Sequence, residues 1–212
     1  MKASELARLM HERMLAYRFL ARVYRAAPDS VFLSSLLAMD TKIETPLQAT
    51  LMSMQSCDPQ QLRIDLAAEY NRVFLGMGPD PIAPYESVYT SPDHLLMQES
   101  RDEMLGLYRS EALFAHKGTR IPEDHLSMEL DFMAYLCEQA VWAARKGDQK
   151  KTAEYLQKQR GLLKGHLLVW VFDLCRDMEE RVCSSFYKSI CAITVQQLEF
   201  DRDLLSIDLE GC

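Results

Sequence analysis

Residues 120–135 read Arg120-Ile121-Pro122-Glu123-Asp124-His125-Leu126-Ser127-Met128-Glu129-Leu130-Asp131-Phe132-Met133-Ala134-Tyr135. A proline, two acids and a histidine stand at the mouth of an apolar pattern that continues through Leu136 or Cys137 to Ala140. Three- and four-residue spacing puts these apolar side chains on one helical face. It predicts a long helix from Pro122 to about Lys146. Pro122 is the last of eight prolines, so nothing beyond it interrupts helices in the way proline does.

Upstream the texture is different. Residues 76–92 hold four of the eight prolines and two of the eight glycines, a composition that argues against helix and against a central strand. A long irregular connection inside a compact chain is often functional. This one also carries Tyr85, Val88 and Tyr89, which predict packing against the helices rather than full solvation. Ser91-Pro92 then reads as an N-cap and first helical position, opening a helix to about Tyr108.

The flanks are helical too. Leu6, Met10, Met14, Tyr17 and Tyr24 mark one face of a helix over 4–25, with arginines on the other side. Pro28-Asp29, Pro46 and Asp58-Pro59 each punctuate a further helix start; the last is followed by Leu62, Leu66, Tyr70 and Phe74 at helical spacing. After Gly147-Asp148 a helix runs into the 170s, with Gly161 or Gly165 as points of interruption. Ser184-Ser185 caps a last helix through Leu205, with Ile190, Val195 and Leu198 inward. No hairpin dipeptide or sustained alternation occurs. The expected fold is all-α: a single-domain multi-helix bundle over 1–212 with a long proline-rich functional loop.

Composition bounds the function. The 212 residues are 48% hydrophobic and 26% charged, with a net charge of −7. That balance is globular, and it disfavours nucleic acid, whose binding rests on lysine and arginine neutralising phosphates. Arg8, Glu12, Arg13 and Arg18 interrupt the N-terminus too often for an export signal, and no window has the apolar length of a membrane span. Stable membrane insertion is not expected, and cytoplasmic residence is. The six cysteines lack a C-x-x-C pair and read as reduced thiols, Cys212 being exposed.

Asp124-His125 is the main chemical candidate. It places an acceptor and a switchable donor at a helix start, exposed to a peptide or ligand; helix capping explains the same residues. Asp93-His94 repeats the dipeptide where capping alone accounts for it. His125 and Glu129 share a face, but two ligands do not make a metal site, and no second pair completes one. His11, His116 and His166 lack a local carboxylate partner, and no nucleophile motif or phosphate loop is present. No cofactor is expected. A metal- or cofactor-binding enzyme using Asp124 and His125 is the competing expectation.

Three motifs in order carry a resemblance. Tyr70-Asn71-Arg72-Val73-Phe74 resembles an aromatic-x-x-Leu-Phe signature, residues 84–89 (Pro-Tyr-Glu-Ser-Val-Tyr) a proline-aromatic-x-Ser-Val-Tyr loop, and residues 122–125 (Pro-Glu-Asp-His) a Glu-Pro-x-Asp-His signature. All three belong to the TorD/DmsD/NarJ family of redox-enzyme maturation chaperones. His166, Trp170 and Phe186-Tyr187 resemble later positions of the pattern. Ile121 and Val171 depart from it, standing for a glutamate and a proline; the second departure lets the late helix run on unbroken.

The resemblance implies a cytoplasmic, all-helical chaperone without catalytic activity. Its partner would be the twin-arginine leader, or another part, of the precursor of a molybdenum oxidoreductase, held back from export until its cofactor is in place. The implied peptide-binding residues are Tyr70, Phe74, Pro84, Tyr85, Ser87, Asp124 and His125, with Glu86 and Glu123 as guanidinium acceptors. A further alternative is an assembly factor for a mature subunit, independent of the leader. The resemblance allows a monomer or a domain-swapped homodimer, with its hinge in 113–121.

Overall fold

The computed structural model describes residues 3–39, 46–113 and 121–206. Arg120, His116, Cys212 and most of the expected hinge lie outside the described residues. Among those described, the architecture is all-α: α1 (Ala3–Arg25), α2 (Ser30–Leu37), α3 (Pro46–Met54), α4 (Pro59–Phe74), α5 (Glu86–Thr90), α6 (Glu99–Ser110), α7 (Leu126–Arg145), α8 (Gln149–Leu162), a π-helical turn (Leu163–Leu167), α9 (Leu168–Arg181) and α10 (Ser185–Ser206). The only backbone pairing of strand type among them is an isolated bridge between Tyr85 and His125.

Helix starts follow the side-chain chemistry where that chemistry is local. Asp29 accepts the amide of Phe32 at 2.7 Å and Asp58 that of Gln61 at 2.7 Å. Asp148 does the same for Lys151 at 3.0 Å. Each satisfies an amide that the first helical turn otherwise leaves orphaned. The interruption expected at Gly161 or Gly165 is the π-helical turn containing Gly165. With Val171 in place of proline, α9 continues unbroken from Leu168 to Arg181.

α7 is the central element. α1 lies antiparallel along it, since Arg18 pairs with Glu138 at 2.9 Å while Arg25 pairs with Asp131. α10 flanks α1, also antiparallel, through Tyr24–Thr194 at 2.9 Å and Arg13–Asp201 at 2.8 Å. α8 covers α7, where the Gln159 amide donates to the Leu136 carbonyl at 3.2 Å. Between them sits one hydrophobic core containing Tyr17, Leu20, Leu130, Met133, Leu136, Trp170, Phe186 and Ile190. Each such side chain contributes about 1.5–3 kcal/mol when buried.

Four expectations need correction. The connection 76–92 contains a helix, α5, whose start has no side-chain cap of its own at Tyr85. Its first amides are satisfied from elsewhere in the chain, so no local signal marks it. Ser91-Pro92 does not open a helix: His94 and Met97 adopt φ of 51° and 61°, and α6 begins only at Glu99. Asp93-His94 is therefore not at a helix start. α7 begins at Leu126, capped by His125, because residues 122–125 turn to meet the preceding connection. Finally, Arg13 is not on the outer face of α1. It is 2% exposed, and its guanidinium is held by Asp201 and by Gln159 at 2.5 Å.

Candidate functional site

The site is a clasp between the proline-rich connection and the start of α7. The amide of Glu86 donates to the Asp124 carbonyl at 2.9 Å, and the amide of Leu126 donates to the Pro84 carbonyl at 2.9 Å. Asp124 then accepts the Ser87 amide at 3.1 Å and the Ser87 hydroxyl through the same carboxylate oxygen. One carboxylate thus caps α5 from 37 residues away. Proline at 84 fits because its carbonyl is what the clasp uses, and it has no amide to strand.

Asp124 and His125 are buried, at 0% and 5% exposure, not displayed at a helix tip. His125 Nδ1 accepts the Ser127 amide at 3.0 Å and so caps α7, which leaves Nε2–H as the ring's donor. Its imidazole meets the half-buried Tyr85 ring edge-on, centroids 4.8 Å apart. Burial, together with the nearby Arg25 guanidinium, pushes the His125 pKa down to about 4. A ring that titrates near neutral pH was expected; desolvation keeps this one neutral there.

Tyr70 and Phe74 belong to the core behind the clasp. The Tyr70 hydroxyl donates to the Tyr24 carbonyl at 2.9 Å, and Phe74 packs against Tyr24, Tyr70 and Tyr187. Burial, then neighbouring Tyr85, raises the Tyr70 pKa to about 12. Glu123 is buried and already accepts Arg101 Nε at 2.8 Å. Glu86 is also buried, and the Nδ1–H of His166 donates to it at 2.8 Å. His166 therefore does have a carboxylate partner, 80 residues away.

Behind Glu86 lies Glu129, fully buried, with Oε2 accepting Trp170 Nε1 at 3.2 Å. Burial first, then the charge of Glu86, pushes the Glu129 pKa well above the usual carboxylate range. Asp124 Oδ1, Ser127 Oγ and Glu129 Oε1 receive no protein donor. Tyr89 lies over Trp170, centroids 5.4 Å apart, and donates to Asp177 at 2.9 Å, so the connection's aromatics do pack on the helices.

Glu86 also lines an open cavity of about 320 Å³, whose rim includes Ser91, Gln98, Glu99, Glu103 and Val169. Glu99 and Glu103 are exposed and have no ion-pair partner among the described residues. Sequence reasoning missed both, and weighed Glu129 only as a metal ligand beside His125. One signal was available: Glu99 and Glu103 are four apart on a helix, hence on one face. The Glu86–His166 and Glu86–Glu129 pairings had no local signal. Among the described residues no group of three or more His, Cys, Asp or Glu side chains is arranged to hold a metal ion. No helix among them is long and apolar enough to cross a membrane.

Comparison with known proteins gives the family. The family model described as "Nitrate reductase delta subunit" matches residues 38–176, which contain all three motifs. The chain is 30% identical over 185 residues to the Chaperone protein TorD of Vibrio cholerae serotype O1, covering 86% of this chain and 81% of that protein. It is 26% identical over 175 residues to Chaperone protein TorD of Photobacterium profundum, covering 82% and 79%. A third Chaperone protein TorD, from a Psychrobacter species, is 28% identical over 160 residues, covering 75% and 70%. The chain belongs to the TorD-like family of redox-enzyme maturation chaperones, which are not enzymes.

Proposed function

We propose that the chain is a cytoplasmic chaperone, one helical domain over 1–212, that binds the twin-arginine leader of a molybdenum oxidoreductase precursor. Binding holds back export until the cofactor is in place. The observation that carries this reading is the acidic cavity beside the clasp: Glu99 and Glu103 at its rim, without an ion-pair partner among the described residues, and Glu86 in its wall. A guanidinium brought there gains charge-assisted hydrogen bonds of about 1.5–3 kcal/mol each. Pro84, Tyr85, Ser87, Asp124 and His125 shape the surface, with Tyr70 and Phe74 supporting it from the core. Glu123 helps through Arg101, which it holds on α6.

Calorimetric titration of the leader peptide of a candidate client tests the reading. Binding is expected to weaken with Asp124→Ala plus His125→Ala, and also with the exposed pair Glu99→Gln plus Glu103→Gln, which leaves the fold intact. A precursor without its leader is expected to bind poorly. Equal binding of leaderless precursor would overturn the leader as ligand and favour an assembly factor for the mature subunit.

A further inference from the structure

Between α5 and α6 the chain carries three consecutive apolar residues on its surface. Leu95, Leu96 and Met97 are 57%, 48% and 59% exposed. The segment is bent through left-handed backbone at His94 and Met97, a conformation that side-chain-bearing residues rarely adopt. It is nevertheless firmly held. The Leu95 amide donates to Ser91 Oγ at 3.3 Å, His94 Nδ1 bonds the Val88 carbonyl at 2.8 Å, and Gln98 Nε2 donates to the Leu96 carbonyl at 3.0 Å. The Gln98 amide donates to Ser87 Oγ at 3.1 Å, and that same hydroxyl donates to Asp124. Asp124, beside α7, is thus joined through Ser87 to the end of this exposed ridge.

The ridge borders the acidic cavity by chain continuity. Ser91 and Pro92 before it, and Gln98 and Glu99 after it, line that cavity, and exposed Val169 adds an apolar wall from α9. Apolar side chains held outward beside exposed carboxylates complement a ligand that is cationic first and apolar next. A second copy of this chain is a poor occupant, because it brings a net charge of −7 toward the same carboxylates.

We infer that Leu95, Leu96 and Met97 seat the apolar segment that follows the arginines of the leader, while Ser87 and Asp124 are positioning residues that hold this ridge. The inference rests on the leader-binding reading. It assigns Asp124 an indirect role: the carboxylate touches Ser87 and the backbone of α5, and the ridge touches the peptide.

The test is a double-mutant cycle read by fluorescence anisotropy. The probe is a labelled peptide with two adjacent arginines followed by a leucine- and alanine-rich segment. Protein variants are Leu95→Ser with Leu96→Ser, and separately Met97→Asn, which removes apolar surface while suiting the left-handed backbone. Burying this much apolar surface predicts about tenfold weaker binding for the double serine variant. That loss is expected to vanish for a peptide whose apolar segment is replaced by serine and glycine. Ser87→Ala is expected to weaken the intact peptide but not the replaced one. Ridge variants that bind within twofold of wild type, or losses that persist with the replaced peptide, overturn the inference. So does a change in oligomeric state, by light scattering, without a change in peptide affinity. Failure of wild-type protein to bind any peptide instead overturns the leader-binding reading itself.

Discussion

Two buried polar clusters sit in this bundle, and they are built in opposite ways. In the first, Arg13 is ringed by Asp201, Gln159 and Met10, while Tyr17 donates to Asp201 at 2.5 Å and Gln197 to Asp201 at 3.0 Å. One cation faces one anion, and the donors and acceptors around them are matched. In the second, Glu86, Asp124 and Glu129 crowd together with His166 and Trp170, and three side-chain oxygens lack protein donors. Burial penalises unpaired polar groups heavily, so a native fold keeps them where something other than stability needs them. The first cluster fastens α1, α8 and α10 together; the second fastens a connection to α7 and leaves acid to spare beside a cavity.

Breaking the balanced cluster gives the largest expected effect on stability. Asp201→Ala strands a guanidinium that is 2% exposed, and removing one partner of a buried ion pair costs about 3–5 kcal/mol. Urea unfolding checks this. At a temperature where the variant is still folded, its peptide affinity is expected to match wild type, since the cluster is remote from the clasp.

Acid comes next and acts on the second cluster. His125 has its pKa lowered to about 4 from an ordinary 6.5, so between those values the unfolded chain binds the proton and the folded one does not. Its contribution is fully present above about pH 6.5 and is lost as pH falls toward 4, a change on the order of 3 kcal/mol. His125→Gln keeps a polar side chain and is expected to flatten this limb of the stability–pH curve measured by thermal unfolding.

Asp124→Ala is expected to be milder. It leaves the Ser87 amide and hydroxyl without their acceptor, a loss of about 1–3 kcal/mol. Amide hydrogen exchange is expected to speed up at Glu86, Ser87 and Gln98 while protection in α1 and α10 stays unchanged. The clasp then opens as a local unit rather than with the whole fold.

The smallest effect sharpens the contrast most. Glu129 is held protonated, and glutamine mimics a protonated glutamate, so Glu129→Gln is expected to change stability near pH 5 by less than about 1 kcal/mol. A raised carboxylate pKa means that the folded chain holds the extra proton. The contribution of Glu129 to wild-type stability therefore declines as pH rises above about 4.5, the ordinary value for this carboxyl, opposing the His125 limb. The glutamine variant is expected to lose that decline, and a set of unfolding curves across pH measures it.

How much of this was legible beforehand follows from the range of the forces involved. Asp29, Asp58 and Asp148 cap helices that begin within three residues of them, so these starts can be read from the chain. α5 is capped by Asp124, which no nearby residue announces. The same distance hid the true start of α7. Residues 122–125 look like a first helical turn, but they form a separate turn closed by the His125 amide on the Pro122 carbonyl, and the bridge to Tyr85 holds His125 in extended backbone. Arginine periodicity placed Arg13 outside, and only the arrival of Asp201 and Gln159 makes its burial affordable.

By itself the sequence determined the all-helical class, most helix positions and the three motifs that set the family, because periodicity, capping and motif order are properties of neighbours along a chain. The tertiary structure decided what residues 122–125 are. They are not a displayed recognition tip but the buried half of a clasp, with His125 neutral and Asp124 occupied. It also decided where charge is left over: two exposed carboxylates and an apolar ridge, neither conspicuous in one dimension. Desolvation and pairing depend on what surrounds a group in space, and that is settled only when distant segments meet.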